Sequence, residues 1–95
     1  MRKKVIIVNK KKFLGYEFKL GAKKLIFILA KKAYIMCGYL NMKSANKFKD
    51  VACTVAGVNS LEEMLKAGVG EVSLEARKLG IKKGENVRSA LKKIN

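Results

Sequence analysis

The first forty residues break into short apolar runs closed by lysines, and none is long enough for an ordinary helix. Val5 to Val8 ends at Asn9-Lys10-Lys11-Lys12, and Phe13 to Leu20 sets Tyr16, Phe18 and Leu20 in alternation with Glu17 and Lys19. Gly21-Ala22-Lys23-Lys24 turns the chain into Leu25 to Ala30, and Lys31-Lys32 leads into Ala33 to Leu40. Alternation with period two marks a strand with one buried face, whereas a short continuous apolar run between turn signals fits a strand buried on both faces. Four strands in succession are therefore predicted, each able to bury its apolar side only by pairing with a neighbour.

The second half changes period. Asn41 is a helix N-cap for a segment from Met42 to about Lys49, and Val51 to Ala56 is a fifth β-type run closed by Gly57. Ser60 and Glu63 spell a capping box ahead of Leu61, Met64 and Leu65, with Gly68 expected in the left-handed position that ends this helix. Val72, Ala76 and Leu79 predict a third helix ending at Gly80. Asn86 opens a fourth, with Val87, Ala90, Leu91 and Ile94 inward and Lys92 and Lys93 near its negative end. Strands first and helices later imply an α+β two-layer sandwich: a mixed, mostly antiparallel sheet of about five strands with helices on one face. The β-α-β stretch across residues 33–56 supplies the parallel pair, with a right-handed crossover. Without proline, repeats or low-complexity tracts, residues 1–95 read as a single domain.

Charge bounds the partners. The chain has 22 Lys and Arg against 7 Asp and Glu, a net +15; residues 1–50 hold 14 cations against Glu17 and Asp50. Such an excess attracts anions. Lysine acts as a mobile point charge and lacks the planar fork that reads bases, so nucleic acid would be held without sequence preference. The other anionic partner considered is a phosphorylated or carboxylated small molecule. Against both stands a solubilising lysine coat of the kind high growth temperature enriches. Met1 to Lys4 followed by Val5 to Val8 starts like a signal peptide, but the apolar run is too short for one, and no run approaches the length of a membrane span. Two cysteines in apolar surroundings make no disulfide framework, which fits a reducing, cytoplasmic setting and no membrane partner.

Little of the sequence offers chemistry. There is no histidine, and Cys37 and Cys53 have no further Cys or His to complete a tetrahedral set, so neither metal nor cofactor is expected. Cys37, at a strand end and just before a helix, is the candidate nucleophile; as a buried thiol it is instead a small hydrophobe. If the two strands of the β-α-β unit are parallel neighbours, the helix starts at Asn41 and Ser60 open at one sheet edge. An anion site is then expected from Gly38, Asn41, Lys43, Gly57, Asn59 and Ser60; Asn41 and Ser60 acting only as caps is the plainer alternative. The reading is a non-catalytic binding or accessory module for an anion. The alternatives are an enzyme using Cys37 and a homo-oligomer subunit that covers an edge strand. Tyr16, Phe18, Tyr34 and Tyr39 are either base-stacking platforms or interior aromatics.

The run Tyr34-Ile35-Met36-Cys37-Gly38-Tyr39-Leu40-Asn41 resembles the signature of the YunC-like family of small bacterial and archaeal proteins. Ala56 to Leu65, and Lys78 to Gly84 followed by Ser89-Ala90-Leu91, are similar to that family's second half in order and spacing. The resemblance spans about residues 13 to 95 and implies a two-layer α+β domain, with no activity to carry over. Lys83 stands where the pattern leads one to expect proline, and Asn86 where Ser or Thr is expected.

Overall fold

In the computed structural model, which describes residues 2–37 and 41–94, the first half is a pair of tight hairpins. Strand β1 (Arg2–Val8) meets β2 (Lys11–Leu20) through Asn9 and Lys10 alone, whose φ values are 52° and 64°. Positive φ at both central residues is what a type I′ turn demands, and its twist matches that of the paired strands. Gly21, at φ 59°, and Ala22 likewise join β2 to β3 (Lys23–Leu29). These two-residue turns set the register Val8↔Lys11 and Leu20↔Lys23. Lys11, Lys12, Lys23 and Lys24, which the sequence places in turns, are therefore paired strand residues.

Strand β4 (Ala33–Cys37) is antiparallel to β3, and after helix α1 (Met42–Lys47) strand β5 (Val51–Val55) lies parallel to β4. The sheet order is β1-β2-β3-β4-β5, mixed and mostly antiparallel as expected. Gly38 to Leu40, read as the end of the fourth strand, lie outside the described residues. Helices α2 (Leu61–Lys66), α3 (Leu74–Lys78) and α4 (Val87–Lys92) complete the α+β fold. The core joins Ile6, Val8, Phe13, Ile26, Ile28 and Ile35 on the inner sheet face to Leu61, Met64, Val87 and Leu91 of α2 and α4.

Two local expectations are corrected. Gly68 does not end α2 in a left-handed conformation: the helix stops at Lys66, Ala67 is extended, and Gly68 forms a bridge with Asn86. A side chain on Gly68 would stand 3.0 Å from the Gly84 carbonyl oxygen, so close backbone approach is what requires glycine there. Val72 is not helical either. It pairs with Cys53, and the Gly70 to Ser73 segment seals the outer edge of β5 through Gly70 N–H to Thr54 O (2.7 Å), Thr54 N–H to Glu71 O (3.0 Å) and Ser73 N–H to Ala52 O (2.9 Å). An edge strand needs such cover, and that need overrides the helical spacing of Val72 with Ala76.

Helix α2 approaches the sheet closely because Gly15 has no side chain. A Cβ on Gly15 would sit 2.8 Å from both Ile6 Cδ1 and Leu61 Cδ2. Gly15→Ala is expected to cost about 1–3 kcal/mol through overpacking, lowering the thermal midpoint by about 4–8 °C per kcal/mol. The opposite sign is expected for Lys10→Gly. Relief of the left-handed strain (about 1–2 kcal/mol) exceeds glycine's extra chain entropy (about 0.5–1 kcal/mol), for a net gain of about 0.5–1 kcal/mol. Thermal unfolding followed by circular dichroism measures both.

Candidate functional site

Because β3 runs antiparallel to β4 and β5 runs parallel to it, the start of β3 and the ends of β4 and β5 share one sheet edge. A cleft of about 650 Å³ opens there, lined by Ala22 to Lys24, Cys37 and Val55 to Asn59. Gly57 has φ 73°, a conformation that favours glycine, and it turns the chain out of β5 along the cleft wall. Val55 and Val58 supply apolar surface, while Lys23, Lys24 and Asn59 carry the polar side chains.

Cys37 is only 7% exposed. Its Sγ accepts the Ile26 N–H at 3.0 Å and its thiol donates to the Lys24 carbonyl at 3.6 Å. The thiol thereby continues the β3–β4 pairing one residue beyond Phe27↔Met36. Cys53 is fully buried, and burial, with a smaller contribution from Glu85, pushes its thiol up to about 11. Of the two thiols, only Cys37 faces the cleft. Tyr34 donates to Asp50 Oδ2 at 2.7 Å; burial first and that bond second raise its phenol to about 12.

Beside the cleft stands Glu17, 8% exposed on the inner face of β2. Its Oε2 accepts the Leu61 N–H at 2.9 Å and Arg2 Nη1 at 2.8 Å, and its Oε1 lies 4.0 Å from Lys24 Nζ. Lys24 also donates to the Asn59 carbonyl at 3.3 Å, tying the two cleft walls together. The first N–H of α2 is thus filled by the protein's own carboxylate. Ser60 Oγ takes the Glu63 N–H at 3.1 Å, and Asn41 Oδ1 takes the Ser44 N–H at 3.2 Å.

Of the residues expected at an anion site, Gly57 and Asn59 line the cleft with Cys37. Asn41 and Ser60 act as caps, Lys43 lies exposed on α1, and Gly38 is outside the described residues. The sequence reading places Lys23-Lys24 among turn lysines that could form a basic rim at one sheet end, without joining them to this site, and it misses Glu17. The signal that finds them is topological: once β3 is placed beside β4, its first residues must meet the ends of the parallel pair.

With this geometry in place, comparison with known proteins is informative. The model of a family described as a domain of unknown function (DUF1805) matches residues 36–94, more than half of the chain. The uncharacterized protein YunC of Bacillus subtilis is 32% identical over 93 residues, 94% of this chain and 92% of that relative. The chain belongs to the YunC-like family. A crystal structure of a protein of unknown function, TA1206 from Thermoplasma acidophilum, matches with TM-score 0.93 and 40% identity over 99% of this chain and 92% of that one. The stretch matched by the family model includes Cys37 and the Val55 to Asn59 wall of the YunC-like cleft, whereas Lys23 and Lys24 precede it.

Acid stability follows from the ion pairs. Arg2 donates twice to Glu62, at 2.8 and 2.9 Å, and Lys4 adds a third bond at 3.1 Å; these hold the Glu62 carboxyl down at about 2 against the usual 4.5. Glu85 is lowered to about 2 chiefly by Lys93, 2.8 Å away, and Ser89. A carboxyl depressed by folding stabilises the fold above its unfolded value, and that contribution is lost as pH falls through the folded one. The thermal midpoint is therefore expected to decline between pH 4.5 and about 2. Glu62→Gln should flatten part of that decline in a pH series of melts.

Proposed function

We propose that the chain is a non-catalytic binding module that holds a small phosphorylated or carboxylated molecule in the cleft at the carboxyl edge of the sheet. The observation that carries this reading is the sign of the cleft. Its lining charges, among the described residues, are Lys23 and Lys24 beside apolar Val58; Lys24 already lies 4.0 Å from Glu17 Oε1, so Lys23 supplies the net positive charge of the mouth. Apolar walls strengthen the field of a lysine by excluding water, and the volume falls in the range of ligand pockets, about 300–1,000 Å³. Net charge of +15 draws anions toward such a mouth.

Binding without catalysis is favoured because the chain has no histidine and Cys37 is engaged in the β3–β4 pairing. Cys37 serves as a reporter: it is expected to alkylate slowly, and more slowly with ligand bound.

Titration with inorganic phosphate, followed by amide NMR shifts, tests the reading. Shifts are expected at Gly57, Asn59 and Lys24, and Lys23→Ala is expected to weaken binding by about 3–10-fold, the change of about 1 kcal/mol that a lost exposed charge produces. An even response over all surface lysines, or none at these three residues, overturns the proposal.

A further inference from the structure

The end of the sheet opposite the cleft gathers lysines from three separate links, and we infer that it holds single-stranded nucleic acid along the phosphate backbone. This end is made by the turn of Asn9 and Lys10 between β1 and β2, the link 30–32 between β3 and β4, and the entry to β5. Strand direction brings these links together although they spread over residues 9 to 50 of the chain. Lys10, Lys12, Lys31, Lys32 and Lys49 are all exposed there.

Pairing separates this end from the rest of the lysine coat. Among the described residues, ion pairs join Arg2, Lys4 and Lys24 to Glu17 and Glu62, Lys78 to Glu75 and Lys93 to Glu85, and none takes one of these five lysines. Asp50, beside Lys49, accepts the Tyr34 hydroxyl at 2.7 Å and offsets one charge at most. Cations crowded without counter-charge repel one another in a compact fold, and an anion that bridges them relieves that repulsion. At the same end Phe48, between Lys47 and Lys49, is 71% exposed, more than any other large apolar side chain among the described residues. A free ring beside a row of ammonium groups is what a single strand uses, the ring for a base and the row for its phosphates.

Spacing and shape select the partner. The lysines follow the strand order β1 to β5, so with strands about 4.8 Å apart the row runs about 17 Å from the first turn to the entry of β5. A stacked strand sets a phosphate about every 3.4 Å, which lays about five of them along the row. An acidic bilayer also attracts lysines, but it takes up a helix whose apolar face is turned outward. Helix α1 offers no such face: Ala45 is buried, and its exposed positions are Lys43, Ser44 and Lys47. With lysine and no arginine in the row, the strand is held without reading its bases.

Fluorescence anisotropy of a labelled oligothymidylate, at salt from about 50 to 200 mM, tests the inference. Five contacts on a single strand give a slope of log affinity against log salt of about −3.5, a loss of about 100-fold over that range. Lys31→Ala combined with Lys32→Ala is expected to bring the slope to about −2. Lys3→Ala combined with Lys19→Ala, the same change of charge at the other end of the sheet, should leave it unaltered. Phe48→Ala is expected to weaken binding about 10-fold at every salt with the slope unchanged, and Phe48→Tyr to keep it. No binding at the lowest salt, equal effects of the two lysine pairs, or indifference to Phe48→Ala overturns the inference. Retention on phosphatidylserine vesicles but not on oligothymidylate also overturns it and assigns this end to a bilayer. Phosphate titration of the variant lacking Lys31 and Lys32 reads the cleft separately, so either proposal can fail alone.

Discussion

A carboxylate in a protein interior persists only if donors and opposite charge surround it, and Glu17 draws two donors and one further cation from three other elements. Arg2 comes from β1, Lys24 from β3 and the Leu61 N–H from the start of α2. Unpaired, a charge so placed would cost several kcal/mol; paired, it fixes where α2 meets the sheet. Gly15, two residues earlier and on the same side of β2, removes the side chain that would hold Leu61 off. Together they set the height and position of the helix, and with them the approach of Asn59 to Lys24 that frames the cleft.

The sheet and its parallel join were legible because apolar runs and capping residues are local signals. Ser60, Asn41, Ser73 and Asn86 all cap as their residue types suggest, although the spacing of Val72 with Ala76 starts the third helix before its cap at Ser73. Turn length was less legible. Asn9-Lys10 makes a mirror-image turn without glycine, so Lys11 and Lys12 after it look like loop while they pair in register. Gly15 gives no signal and Glu17 a misleading one: its alternation with Tyr16 and Phe18 reads as a polar outer face, whereas Glu17 is on the buried face and the rings are on the other, because its partner is Leu61, more than forty residues away.

The cleft has two walls drawn from different parts of the chain. Cys37 and the Val55 to Asn59 wall fall within the stretch that the family model matches, and the lysines of the other wall do not. Wall shape follows from β-α-β geometry, which any relative with this topology reproduces. Charge at the mouth depends only on two residues at a hairpin end, where substitutions disturb packing least. The same scaffold can thus present mouths of different sign.

The seal along β5 has a consequence for how copies can meet through their backbones. Gly70 to Ser73 already occupies the hydrogen-bonding groups of that border, so among the described residues β1 is the strand with an uncovered border to offer another chain. Growth of an endless ribbon needs two sticky borders per unit. With one border spent on its own tail, the molecule can extend its ladder once at most, which protects a β-rich polypeptide from filament formation.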